Sequence, residues 1–167
     1  HGYKYSQIHG SEIMGAKLSL LRDEARLAAK SYSNSLDISV SRKFTTVAPT
    51  GSISQLAGVT AGIHPIFSKY FIRRVRFASN DPLLKEHEDL GRHIEDDLYS
   101  EGTKVVSIPC KDPILENYDE KLIEQVDEIS LGDMLATQAF VQENWADNAV
   151  SFTVNINPGA NEIYLSE

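Results

Sequence analysis

Residues 44–58 read FTTVAPTGSISQLAG, and their interpretation decides the fold. Phe44 to Ala48 is short, apolar and β-branched, the composition of a buried strand, and Pro49 and Gly51 end it. Ser52 or Ser54 can cap the short helical run that follows, which Gly58 closes. The reading is strand, loop, helix. Such a junction gathers free backbone N–H groups, the Thr50 and Ser52 hydroxyls and the positive end of a helix dipole around one small space. Phosphate oxygens need that arrangement, and Gly51 removes the side chain where backbone and anion would meet. The spacing is not that of a P-loop, because G-x-x-x-x-G-K-[ST] is missing and no lysine follows the glycine. An ordinary Pro-Gly turn with a serine cap accounts for the same letters, so the residues alone leave both readings open.

Before this unit, residues 11–35 are rich in Ala, Leu, Lys, Arg and Glu. Leu18, Leu21, Ala25, Ala28, Ala29 and Tyr32 recur near helical spacing, which predicts one long helix with an apolar stripe. After it, KYFIRRVRFA (residues 69–78) alternates Tyr70, Ile72, Val75 and Phe77 with basic residues and predicts a second strand, irregular near Arg73 and Arg74. Pro82 opens a helix that Gly91 ends, and residues 91–102 read as a polar connection. KVVSIP (104–109) predicts a third strand, followed by another polar stretch. Leu131, Met134, Leu135, Phe140 and Val141 mark a helix over about 129–145, and AVSFTVNI (149–156) a fourth strand. No repeat, low-complexity tract or domain-sized linker interrupts residues 1–167, so the chain reads as a single α/β segment with strands alternating with helices.

Composition narrows the function classes. At 167 residues and 41% hydrophobic content, the chain can bury a core. No apolar run approaches a membrane span and the first ten residues lack a signal-peptide core, so the expectation is a cytoplasmic protein with no membrane partner. Cys110 is the single cysteine, which rules out an intrachain disulfide, a cysteine-based zinc site and an in-chain dithiol couple. The net charge of -8 speaks against nucleic acid as a partner, but it is unevenly spread. Residues 1–79 carry 11 Lys/Arg against 4 Asp/Glu, residues 80–128 carry 5 against 15, and residues 129–167 carry none against 5. The basic part is the one that holds the loop, which suits a polyanionic ligand.

Lys69, Arg73, Arg74 and Arg76 form the densest positive run. Strand alternation puts Arg74 and Arg76 on one face and Arg73 on the other, so only part of the cluster can face one ligand. Pairing with the acidic middle segment is the expected role of at least two of them. The histidines, at 1, 9, 64, 87 and 93, show no zincin or zinc-finger spacing, and no metal site is expected. His64, in GIHPIF, reads as a satisfied structural histidine, and Cys110 as a small buried residue at a strand end. NWADNAV (144–150) suits a helix exit stitched by side-chain to backbone hydrogen bonds.

Taken together, TTVAPTGSISQLAGVTAGIHPIFSKYFIRRVRFASNDPL (45–83) and VQENWADNAVSFTVN (141–155) resemble the C-terminal part of the catalytic barrel of ribonucleotide reductases. They are most similar to the monomeric, adenosylcobalamin-dependent (class II) ribonucleoside-triphosphate reductases, over roughly residues 40–157. The markers are the phosphate loop, the G-I-H-P turn, the Y-F-I-R-R-V-R strand and the N-W-A-D-N-x-V-S turn, in the family's order.

The resemblance implies part of a ten-stranded α/β barrel, incomplete in this chain. It also implies conversion of ribonucleoside triphosphates to 2'-deoxyribonucleoside triphosphates by thiyl radical chemistry that adenosylcobalamin initiates. Ala48, Pro49, Thr50, Gly51, Ser52 and Ile53 match the family's loop for the substrate phosphates. Implied partners are the substrate, a thioredoxin-like reductant and the remainder of the barrel. The radical cysteine, its neighbouring carboxylate and amide, and the redox pair have no counterpart here, so no catalytic residue is assigned and no cobalamin contact can be mapped. The isolated segment is therefore expected to be inactive. The alternatives are a free-standing, non-catalytic nucleotide-binding or regulatory module, and a segment of a class I or diphosphate-using reductase.

Overall fold

The computed structural model describes residues 4–154. A short 3-10 turn, Tyr5–Gly10, leads to α1, Glu12–Ser35. The Ser11 hydroxyl caps α1 by accepting the Met14 N–H at 3.2 Å. Helix α1 lies against α5, Leu131–Asn144. Gly15 is the point of close approach, since a Cβ there would stand 3.4 Å from both Asn144 Oδ1 and Phe140 Cε2. One and two turns further on, Ser19 donates to Asn144 Oδ1 at 3.3 Å and Arg22 to the Glu143 carbonyl at 2.6 Å, and Arg26 pairs with Asp147. The anticipated stripe is thus only partly used. Leu21 and Tyr32 are exposed, because the α5 contact runs along Gly15, Ser19, Arg22 and Arg26.

The sheet is three-stranded and antiparallel, in the order β1 (Tyr70–Ala78), β3 (Thr103–Lys111), β2 (Ile94–Asp96). Strand β3 is central, and Val105 and Val106 are buried on its opposite faces. The β1–β3 ladder runs unbroken from Tyr70 opposite Lys111 to Ala78 opposite Thr103, so there is no irregularity at Arg73 and Arg74. Two further expectations are corrected nearby. The polar connection at 91–102 contains β2, whose short charged sequence Ile-Glu-Asp hides its pairing, and the stretch after β3 holds α4, Ile114–Asn117, and two 3-10 turns. Helix α3, Leu83–Asp89, lies where Pro82 and Gly91 place it.

The fold is α/β as anticipated, but the described residues build this antiparallel sheet and not a ten-stranded barrel. Neither 44–48 nor 149–154 is a strand; residues 155 and 156 lie outside the described part. A strand exists only when a second strand completes its hydrogen bonds, and among the described residues these two extended segments have none. A small core of Val141, Ala146 and Val150, packed with Val47, Ile63, Phe140 and Trp145, joins them to the end of α5. Helix α2, Ile53–Ala57, closes on Gly58 at φ +63 as its sequence predicts.

Candidate functional site

The loop of residues 48–53 is positioned from behind by the turn after α5. Thr45, nearly fully buried, donates its hydroxyl to the Trp145 carbonyl at 2.5 Å, and its own carbonyl accepts the Asp147 N–H at 3.1 Å and Asn148 Nδ2 at 3.1 Å. Trp145 Nε1 donates to the Thr46 carbonyl at 3.0 Å. Asp147 Oδ2 accepts the Phe44 N–H at 3.0 Å while Oδ1 takes Arg26. The Arg26 guanidinium, then the Phe44 and Thr45 N–H groups, hold this carboxyl well below the usual carboxylate range. Gln142 completes the turn, donating to the Ala146 and Asn148 carbonyls and accepting the Val150 N–H. The N-W-A-D-N segment is stitching, as its composition predicts.

From the front, residues 60–64 brace the loop. Gly62, at φ +54, donates its N–H to Thr50 Oγ1 at 3.2 Å, and a Cβ on it would come within 3.2 Å of the Ala48 carbonyl. His64 contacts the Ala61 carbonyl through Nδ1 at 2.8 Å and accepts the Thr153 N–H at Nε2, 3.0 Å, with its ring 5.0 Å from that of Phe152. These partners assign a neutral ring protonated at Nδ1, a structural histidine. Tyr5 ties the N-terminal turn to the same region by donating to the Ile63 carbonyl at 2.9 Å, and burial pushes its phenol up to about 12.

Between these supports the loop is open. Ser52 stands at the start of α2 but makes no side-chain cap, which leaves its hydroxyl free. Ser54 is buried instead of capping. Among the described residues the Thr50, Gly51 and Ser52 N–H groups donate to no protein acceptor, and a Cβ built on Gly51 meets nothing within 4 Å. A cavity of about 450 Å³ has Gly51, Gln55, Thr60, Phe71, Arg73 and Asp112 among its walls.

The basic run divides between two jobs. Arg74 pairs with Glu95 and Arg76 with Asp97, across the face of β3, and Lys69 lies 3.7 Å from Glu128. The Tyr99 N–H, and after it Arg76, lower the Asp97 carboxyl below its ordinary range. Arg73, on the opposite face, turns to the cavity, where its Nη2 donates to Gln55 Oε1 at 3.3 Å. Gln55 and Asp112 were not legible as site residues, since nothing in their immediate sequence marks them. Arg73 was legible only as the odd member of an alternating run.

Cys110 is half-buried at the end of β3, with its thiol 3.5 Å from the Ile108 carbonyl, and takes no part in the cavity walls. Among the described residues no three His, Cys, Asp or Glu side chains converge as metal ligands, and no helix is long and apolar enough to cross a membrane.

The chain is similar to known proteins. The family model of the ribonucleotide reductase barrel domain matches residues 39–167. A Mycobacterium phage D29 protein assigned as an adenosylcobalamin-dependent ribonucleoside-triphosphate reductase is 44% identical over 96% of this chain and 25% of its own length. The adenosylcobalamin-dependent ribonucleoside-triphosphate reductase of Lacticaseibacillus paracasei is 43% identical over 78% of this chain and 17% of its own. The crystal structure of a B-12 dependent (class II) ribonucleotide reductase superposes with a TM-score of 0.72 at 35% identity, covering 86% of this chain and 20% of that one. The chain thus spans a quarter or less of the length of these relatives. The loop, the bracing turn and the stitched helix exit all fall within the matched region, and the chain belongs to the ribonucleotide reductase barrel-domain family.

Proposed function

We propose that this chain is a segment of an adenosylcobalamin-dependent ribonucleoside-triphosphate reductase and that residues 48–53 hold the phosphates of its substrate. The observation that carries the reading is the open loop itself. The N–H groups of Thr50, Gly51 and Ser52 are free, and Gly51 lines a cavity that also presents an arginine without a carboxylate partner among the described residues. Gly62 orients the Thr50 hydroxyl oxygen by donating to it, so the Thr50 proton is free to point at an anion. Similarity to the phage and lactobacillar reductases supports the choice of a triphosphate substrate and of the cobalamin cofactor.

Adenosylcobalamin would supply the initiating radical in the complete enzyme. Nothing in the chemistry of the described residues singles out a contact to a corrin ring. No residue of this chain is therefore assigned to it. Its contribution is to bind and orient the substrate's phosphates, while the radical and redox thiols, the thioredoxin-like reductant's docking site and the rest of the barrel belong to other parts of the assembly. A cytoplasmic setting is part of the same proposal.

The test is nucleotide reduction with adenosylcobalamin and a dithiol, following deoxyribonucleotide by chromatography. The full-length reductase carrying this segment should convert triphosphates, and the 167-residue chain alone should convert none. Turnover by the isolated chain, or turnover of diphosphates only by the full-length enzyme, overturns the proposal. Tight, saturable nucleotide binding by a monodisperse isolated chain would instead favour a stand-alone binding module.

A further inference from the structure

We propose that Arg73 reads the terminal phosphate of the nucleotide and so separates triphosphates from diphosphates, an inference that rests on the phosphate-loop reading above. Strand β1 carries three arginines within four residues, and the structure treats them differently. Arg74 and Arg76 spend their charge on Glu95 and Asp97, on the face away from the cavity. Arg73 has no carboxylate partner among the described residues. Its one side-chain hydrogen bond goes to Gln55 Oε1, a neutral acceptor that orients the guanidinium without cancelling its charge. The guanidinium carbon also stands 5.5 Å from the centre of the Phe71 ring, a second restraint on where the fork can swing.

Both restraints belong to walls of the cavity that contains Gly51. Gln55 is three residues past Ser52, about 4.5 Å further along the α2 axis at 1.5 Å per residue. The guanidinium it holds is therefore a donor of the same cavity but separate from the loop's own N–H groups, available to a phosphate other than the one they anchor. Arginine suits that place, because its planar fork takes two phosphate oxygens at once.

Asp112 sharpens the argument. It lies on the same cavity, and its Oδ1 accepts the Ile114 N–H at 3.0 Å and forms no ion pair with Arg73. A carboxylate in the wall repels added negative charge, so a third phosphate is tolerated there only if a cation meets it. Arg73 is the guanidinium on that wall.

The experiment measures dissociation constants of the full-length reductase for the triphosphate and the diphosphate of one nucleoside, with circular dichroism confirming that each variant is folded. Arg73→Gln should weaken the triphosphate on the order of tenfold, the loss of one exposed charge-assisted contact, and leave the diphosphate unchanged. Arg73→Lys should recover part of the loss. Arg74→Gln, on the opposite face, should leave the ratio as it was. An equal effect of Arg73→Gln on both nucleotides, or no effect on either, overturns the inference. Gly51→Val separates it from its foundation: if Gly51→Val weakens neither nucleotide, the phosphate-loop reading itself has failed. If Gly51→Val weakens both while Arg73→Gln leaves their ratio intact, only the role of Arg73 is lost.

Discussion

Gly51→Ala should make the protein slightly more stable and a much poorer nucleotide binder. The stability half follows from the loop's openness. A Cβ at Gly51 meets nothing within 4 Å, and Gly51 is not among the glycines with positive φ, so a methyl group adds neither clash nor backbone strain. Alanine also restricts the unfolded chain, which stabilises a protein by about 0.4–1 kcal/mol where the native conformation tolerates it. For a chain of this size that raises Tm by about 1–4 °C. The binding half follows from the proposed function: there, the space the methyl would fill is where an anion's oxygens approach the Gly51 and Ser52 N–H groups. Losing one hydrogen bond to a charged group costs about 1.5–3 kcal/mol, roughly 10- to 150-fold in affinity. Thermal melting and calorimetric titration with a nucleoside triphosphate, run on one preparation, would show the two quantities moving in opposite directions. A drop in stability beyond about 1 kcal/mol would mean that the loop conformation is different from the one described. Unchanged affinity at unchanged or higher stability would mean that no phosphate sits against Gly51.

Gly62→Ala should lower stability and binding together. At φ +54 with the Ala48 carbonyl 3.2 Å from the new Cβ, it should cost about 1–2 kcal/mol in urea unfolding and weaken nucleotide binding by displacing the loop; no loss of stability would refute the bracing role of the 60–64 turn. For Asp147, the native carboxyl titrates below its unfolded value, so its contribution is present above about pH 4 and lost as pH falls through the depressed native value. Asp147→Asn should therefore lower the urea midpoint at neutral pH, with the gap from the parent protein closing towards pH 2; a gap constant with pH would count against it. The isolated chain should self-associate, since Leu56 and Phe67 are 89% and 77% exposed and β1 is an edge strand among the described residues, and concentration-independent sedimentation as a monomer would contradict that.

What could be read from sequence was whatever local chemistry decides. Ser11, Pro82, Gly58 and Gly91 mark their helix ends by capping and backbone preference, which act within a few residues. Period-two alternation separated Arg73 from Arg74 and Arg76, and the division of roles on the two faces of β1 follows that separation. The N-W-A-D-N turn announced its stitching through its amides and carboxylate, although not that Thr45, a hundred residues away, is what it stitches. Strand β2 escaped because Ile-Glu-Asp has no pattern of its own and is ordered only by pairing with β3. Gln55 and Asp112 escaped for the same reason: their place beside Arg73 comes from tertiary packing, which no local window contains.

The two extended segments that flank the site show the limit most sharply. Residues 44–48 and 149–154 have strand composition, yet neither joins a ladder among the described residues. Propensity reports that a segment suits a pleated, half-buried surface and is silent on where the partner strand lies. Here the Phe44 and Thr45 N–H groups donate to the Asp147 carboxylate, and the Thr45 and Thr46 carbonyls accept from Asp147, Asn148 and Trp145 of the turn after α5. The loop of residues 48–53 is therefore held at its entrance by a helix exit and an ion pair to α1, and in front by Gly62, rather than by a sheet. Under the proposed function the absent ladder partners belong to the rest of the reductase, which would add a third support without replacing these two. That division explains how a loop bordered by two unpaired extended segments still has a defined shape, because its geometry is fixed by contacts made within this one segment.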